Sequence, residues 1–228
     1  MIAFRTAIEA DADFITEAIT EAEKSGTEIF SYARIFDLSN EQATALIKSA
    51  VLENIPGQEL CLSGFIIAEI DGEPAGAVCS WIEAEDDIPS SVLKANVLYY
   101  FLGKKATIQT DKISEILDPL FIPRDSGSLQ IESVYVRNKF RGLGVSMELI
   151  LEHIKQNISN GKNFSKVQVQ LAETNKAAKN AYQKLGFIEH TRKNCTAADV
   201  LKYLPSNTKI MMELSVSTLL KKGLIKIG

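Results

Sequence analysis

The chain has 228 residues, 46% of them hydrophobic and 24% charged, which is enough apolar material to bury one sizeable core. Its net charge of −4 and isoelectric point near 5.4 argue against a general nucleic-acid binder, because neutralising a run of phosphates needs an overall basic balance or a long basic face. Any anion site must therefore be local.

Residues 2–8 read as a short strand. Asp11 stands at a helix-cap position before Phe14, Ile15, Ala18, Ile19 and Ala22, which recur at helical spacing. Ser39 and Gln42 form a capping-box pattern, and Ala43, Leu46, Ile47, Ala50 and Val51 make the stripe of a second helix expected to stop near Pro56 and Gly57. Two β-rich runs, 64–70 and 75–81, flank Asp71-Gly72-Glu73-Pro74, a tight hairpin turn. From 82 to 129 the chain changes character, with acidic Glu83, Glu85, Asp86 and Asp87, then Leu93, Val97, Tyr100 and Phe101 at helical spacing, then Pro119 and Pro123. This segment reads as a helical insertion between the third and fourth strands, too small to hold a core of its own.

Residues 131–136 resume as a strand, and 144–160 as a helix with Met147, Ile150, Leu151, Ile154 and Ile158 on one side and Gly161 at its end. Val167, Val169 and Leu171 alternate with Lys166, Gln168 and Gln170, a strand with one polar face. A helix over 175–185, strands over 188–193 and 209–216, a helical turn near 197–204 and a tail over 217–228 complete the chain. The expected fold is α/β (α+β): a mixed, mostly antiparallel central sheet flanked by helices, with one strand–helix–strand unit at its centre, in a single domain over 1–228.

The amino terminus carries Glu9, Asp11 and Asp13 and lacks the apolar core of a secretory leader. No apolar run approaches the ~20 residues that span a bilayer, so no membrane association is expected. Cys61, Cys79 and Cys195 are odd in number and far apart, as expected of reduced thiols in a cytoplasmic protein. The two histidines, His153 and His190, have no neighbouring ligands in sequence, so neither a metal site nor a Ser-His-Asp triad is expected.

The stretch VYVRNKFRGLGVSMELI, residues 134–150, places two glycines at a strand-to-helix bend. Main-chain N–H groups at such a helix start have no intrahelical partner and suit a phosphate, and Arg137, Lys139 and Arg141 add positive charge on the same approach. The plainer alternative is a helix start that uses glycine for close packing, with its basic residues in solvent. Gly-x-Gly-x-x-Gly would need glycine where Met147 stands, and a P-loop would need Gly-Lys-Ser/Thr. Both fail.

Arg141-Gly142-Leu143-Gly144-Val145-Ser146 resembles the Arg/Gln-x-x-Gly-x-Gly/Ala signature of the GCN5-related N-acetyltransferase (GNAT) family, with Ser146 in place of the last glycine or alanine. Asn175-x-x-Ala178-x-x-Ala181-Tyr182-x-x-x-Gly186-Phe187 resembles that family's next segment at the expected distance downstream. The resemblance implies an enzyme that takes acetyl-coenzyme A as co-substrate and needs no metal. It implies that the amides of Arg141, Gly142, Leu143, Gly144, Val145 and Ser146 hold the pyrophosphate. It also implies that main-chain groups of Val134, Tyr135 and Val136 hold the pantetheine arm, that Asn175 belongs to the coenzyme site, and that Tyr182 protonates the leaving thiolate. Tyr182 also reads as the polar-tipped member of a core stripe.

For the base, simple alternation puts Glu132 on one face with Val134 and Val136, and Ile131, Ser133 and Tyr135 on the other. A carboxylate among valines would lose hydration and gain basicity; a salt-bridged or solvated glutamate is the alternative. Glu173 and Glu69 are second-line candidates. Direct attack without a covalent acetyl-enzyme is expected, so no acetyl group should rest on Cys79. The expected acceptor is a primary amine of a small molecule. The alternatives are a protein lysine or amino terminus, for which Glu83, Glu85, Asp86 and Asp87 would line an acidic groove, and an acyl-coenzyme A binding module without catalysis. Tyr99, Tyr100 and Phe101 would cover the acceptor site or a homodimer seam.

Overall fold

The computed structural model describes residues 2–225. Its elements follow one another as β1 (Ile2–Thr6), α1 (Ala12–Lys24), α2 (Ser31–Ile35), α3 (Asn40–Glu53), β2 (Phe65–Ile70), β3 (Glu73–Ile82), α4 (Ser90–Leu102), α5 (Lys104–Lys112), α6 (Ser114–Leu117), β4 (Leu129–Val136), α7 (Val145–Ser159), β5 (Lys166–Ala172), α8 (Lys176–Leu185), β6 (Ile188–Asn194), α9 (Val200–Tyr203), β7 (Thr208–Ser215) and α10 (Val216–Lys221). The strands form one seven-stranded sheet in the order β1-β2-β3-β4-β5-β7-β6. Every neighbouring pair is antiparallel except β4 and β5, the two strands joined through α7.

Strand alternation sorts the side chains into two cores. Phe65 and Ile67 of β2, with Ala77, Cys79 and Trp81 of β3, meet α1 and α3 through Phe14, Ile15, Ile19, Leu46 and Ile47. Ile66, Ala68 and Val78 turn to the other face, where they share a core with Leu149, Ile150 and Ile154 of α7, a core that extends to Leu185 of α8. Burying each large aliphatic side chain contributes ~1.5–3 kcal/mol, so both faces must be covered for the central strands to be stable. The expected capping box is present: Ser39 Oγ accepts from the Gln42 N–H, and Gln42 Oε1 accepts from the Ser39 N–H. Asp11 precedes α1 as expected but its carboxylate makes no cap. Its backbone, at φ −89° and ψ −1°, is not the extended one a capping residue needs, and the carboxylate instead accepts from the Ile8 N–H at 2.8 Å and from Arg5 at 2.6 and 2.8 Å.

The insertion, residues 82–129, packs in two directions. Val97, Leu98 and Ala106 join the core beneath α1 and α3. Ile113, Ile116 and Leu120 instead cluster with Cys195 and Val200 from the connection between β6 and β7. It therefore bridges the two halves of the sheet above β4 and β5. This explains the polar side of β5, which is buried: Gln170 Nε2 donates to the Ile122 carbonyl, and Gln168 donates to Asp125.

Two irregularities set up the site. β4 and β5 pair only through Leu129, Gln130 and Ile131 against Val167, Gln168 and Val169; beyond that the two parallel strands part. At the same point β4 carries a bulge. Its partners on β3 step from Cys79, opposite Glu132, to Ala77, opposite Tyr135, and Ser133 adopts a left-handed φ of 52°.

Candidate active site

The bulge corrects the simple alternation of β4. Ile131, Val134 and Val136 all face the α7 core, whereas Tyr135 packs against the α1 core. One extra residue, Ser133, separates the two registers, so Glu132 does not share a face with Val134 and Val136. Its surroundings are ionic: Arg124 of the insertion donates to it at 2.7 Å, leaving the side chain 18% exposed. Tyr135 also leaves the site by its side chain, its hydroxyl donating to Glu17 at 2.8 Å.

Where β4 and β5 part lies a cavity of about 470 Å³. Glu132, Ser133 and Val134 line it from β4, and Gln170, Leu171 and Ala172 from β5; Asn175, Ala178 and Tyr182 come from the start and face of α8. Glu23, Tyr32, Glu59, Lys94, Arg124 and Lys209 complete it with charge and a phenol. Of the site residues expected from sequence, Glu132, Val134, Asn175 and Tyr182 thus meet at one cavity. Asn175 also has a structural task, its Oδ1 capping α8 through the Ala178 N–H at 3.1 Å. The Tyr182 ring is buried against Phe187, 5.5 Å between centroids. Its hydroxyl bonds no described residue, and burial, with the Glu132 charge, pushes the phenol pKa up.

The bend before α7 fits an extended anion. Gly142 and Gly144 have φ of 82° and 81°, and nothing stands within 4 Å of where a Cβ would be. Among the described residues, the N–H groups of Gly142, Leu143, Gly144, Val145 and Ser146 donate to no carbonyl and no side chain. Unpaired amides at a helix N-terminus are an anion cradle. The basic residues divide, however. Arg137 is held by Glu17 at 2.6 Å and lies over the Phe14 ring, and Lys139 is held by Glu73. Arg141, exposed and bonded to the Val136 carbonyl at 3.1 Å, makes no ion pair with a described residue. Of the three expected cations, Arg141 alone keeps its charge available to a ligand. Beyond Ile131, the edge of β4 toward β5 has no strand partner along Val134, Tyr135 and Val136, so main-chain groups there, apart from the Val136 carbonyl that Arg141 holds, can pair with an amide-bearing chain.

Other candidates lie elsewhere. Glu69 is paired with Arg5 and Glu173 with Arg192, and neither lines the cavity. Glu83 is buried, accepting from the Trp81 indole and the Ser90 N–H, and Glu85 pairs with Lys162, so the acidic run builds no groove there. Tyr99 and Tyr100 face outward, Tyr100 being 73% exposed, while Lys94, Ala95 and Leu98 of the same helix line the cavity. Cys79 is fully buried, and burial holds its thiol well above the ordinary value. A thiol that stays protonated is a poor nucleophile.

Five charged residues of the cavity, Glu23, Glu59, Lys94, Arg124 and Lys209, belong to no motif in the sequence. Burial would raise Glu59, but Lys94, Arg124 and Lys209 hold it down at about 2, ionised. Burial raises Glu132, with Arg124 opposing and the Glu59 charge assisting. Glu23 is pushed up to about 7 by burial. Lys94 lies 5.0 Å from the Tyr32 ring centroid and Arg124 5.3 Å from that of Trp81. These residues come from segments far apart in the chain, and the available signal was faint: Lys209 alternates with the buried run Ile210, Met212 and Leu214.

The acetyltransferase (GNAT) family model matches residues 32–187, more than half of the 228 residues, and the chain belongs to this family of acetyltransferases, with acetyl-coenzyme A as its co-substrate. Solved structures agree on the fold. An N-acetyltransferase from Staphylococcus aureus Mu50 superposes with a TM-score of 0.58 at 17% identity, covering 93% of this chain and 100% of that one. Aminoglycoside acetyltransferase AAC(6')-Ib in complex with coenzyme A gives 0.55 at 14% identity, covering 98% and 99%. Ribosomal-protein-alanine N-acetyltransferase from Brucella melitensis gives 0.52 at 14%, covering 94% and 99%. Identities this low establish fold alone, and these proteins are named for acceptors as different as an aminoglycoside and a ribosomal protein. Among curated proteins, none matches the sequence. No helix among the described residues is long and apolar enough to cross a membrane.

Proposed function

We propose that the protein transfers an acetyl group from acetyl-coenzyme A to a primary amine of a small molecule, by direct attack within a ternary complex in the cytoplasm. The observation that carries this reading is the cavity of about 470 Å³ that holds Glu132 and Tyr182 together. Its volume falls in the ~300–1,000 Å³ range of small-molecule sites. The insertion and the 204–209 segment supply much of its wall, so the acceptor would be gripped by side chains from several parts of the chain.

The amides from Gly142 to Ser146, with Arg141, hold the pyrophosphate, and the open edge of β4 at Val134, Tyr135 and Val136 holds the pantetheine and polarises the thioester oxygen. The acceptor ammonium gives its proton to Glu132, directly or through water, because nitrogen needs a free lone pair to attack. The C–N bond forms, the C–S bond breaks, and the departing thiolate takes the Tyr182 proton. A phenol carries that proton at neutral pH. No acetyl group rests on Cys79.

The test measures coenzyme affinity and thiol release across a panel of amines. Thiol release with at least one small amine supports the reading. Coenzyme binding without turnover of any amine would favour a silent binding module, and a stable acetyl-cysteine formed from donor alone would refute direct attack.

A further inference from the structure

Charges in the cavity pair off unevenly. Lys94 binds Glu59, and Arg124 binds Glu132 at 2.7 Å while lying 3.6 Å from Glu59. Glu23, near the end of α1, and Lys209, near the start of β7, remain. Neither makes a hydrogen bond or ion pair with a described residue, yet both line the same cavity. Burial disfavours both charges, lifting Glu23 to about 7 and lowering Lys209, on which Arg124 also acts. Keeping one unpaired group of each sign in a partly dry cavity is costly unless a ligand completes them.

We propose that the acceptor is a small zwitterion, a primary amine that also carries a carboxylate, as in an amino acid or its derivative, with Lys209 receiving the carboxylate and Glu23 steadying the ammonium whose proton Glu132 takes. This rests on the N-acetyltransferase reading and narrows its acceptor. A diamine would set its second cation against Lys209, and a simple alkylamine would leave Lys209 unpaired. Both residues lie outside the 32–187 segment that the family model matches, so this selectivity belongs to the flanking parts of this chain.

Calorimetric binding to the protein saturated with coenzyme A tests the proposal without requiring turnover. The probes are glycine, leucine, phenylalanine, lysine and glutamate, each beside its carboxamide, with the amines that lack the carboxylate. At least one free amino acid should bind, and its carboxamide and amine should bind tenfold or more weakly. Lys209→Met should abolish that difference, and Glu23→Gln should weaken binding of the free amino acid. Lys209→Met substitutes a neutral chain of similar length for an unpaired ammonium, so the fold should survive; Lys209→Gln is the second variant. The proposal is overturned if no free amino acid binds, if carboxamides bind as tightly as acids, or if both Lys209 variants keep the discrimination. Thiol release is read separately. Binding without release sinks the transferase reading and leaves the zwitterion site standing, whereas release with carboxamides preferred does the reverse.

Discussion

Tyr182 belongs to the core by its ring and to the cavity by its hydroxyl, so a single oxygen separates its two roles. Tyr182→Phe keeps the contact with Phe187. If the phenol is the acid, kcat should fall ~10²–10⁴-fold while coenzyme affinity and melting temperature stay where they were. Loss of stability with little change in kcat would assign Tyr182 to packing alone. A second buried group reports on stability. His153 Nε2 donates to the Gly64 carbonyl at 3.0 Å, while Nδ1 is buried without a partner among the described residues. A second ring proton would find no acceptor, and burial lowers the pKa from 6.5 to about 4. The unfolded chain therefore binds this proton first as pH falls. Stability present above pH 6.5 should decline by ~3 kcal/mol as pH drops through 4. Denaturant titrations of wild type and His153→Gln from pH 7 to 4 check it: the wild-type curve should fall more steeply, and parallel curves would refute the assignment.

At the scale of elements, the bulge in β4 makes a sharper claim. Deleting Ser133 would restore regular alternation, with Val78 opposite Val134 and both flanking pairs unchanged. Ile131, Val134 and Val136 would keep the α7 face, and Glu132 and Tyr135 the other. The shortened strand should fold at least as stably as the parent, yet lose the kink that carries β4 away from β5. Coenzyme affinity should therefore drop more than tenfold with no loss of melting temperature, measured by calorimetry and thermal unfolding; retained affinity would show that the bulge does not open the gap. Gly76 marks the cost of the same close approach. A Cβ there would stand 2.6 Å from the Tyr135 carbonyl, so Gly76→Ala should destabilise by ~1–3 kcal/mol, read from the denaturant midpoint. The elements themselves were legible wherever local chemistry is strong: the Ser39 box, the Asp71-Gly72 turn, and the glycines of the bend. The bulge was not, because serine at a positive φ leaves no mark in sequence, and one unrecognised residue moved Glu132 away from the valines.

Over the whole molecule, the proposed coenzyme site and the proposed acceptor site differ in how openly the sequence displays them. The first is local: the bend lies within residues 141–146, and Asn175 and Tyr182 sit a few helical turns apart. The second joins Glu23, Glu59, Lys94, Arg124 and Lys209, which meet only because the insertion packs against α1 on one side and the β6–β7 connection on the other. Solvent-exposed and cavity-lining charges look alike in a sequence, and burial tells them apart. This architecture makes ligands part of the stability of the fold. On the proposed reading coenzyme A occupies the gap between β4 and β5 and the bend before α7, which exist together only in the folded chain, so it should bind the native state alone. At one hundred times its dissociation constant such a ligand adds ~2.7 kcal/mol, or roughly 5–10 °C in a chain of this length. Thermal unfolding with and without coenzyme A should show that shift in the parent and in Tyr182→Phe, which keeps the gap. The Ser133 deletion, which closes it, should show at most about half that shift at the same coenzyme concentration; an equal shift there would mean the coenzyme is held chiefly by the bend before α7.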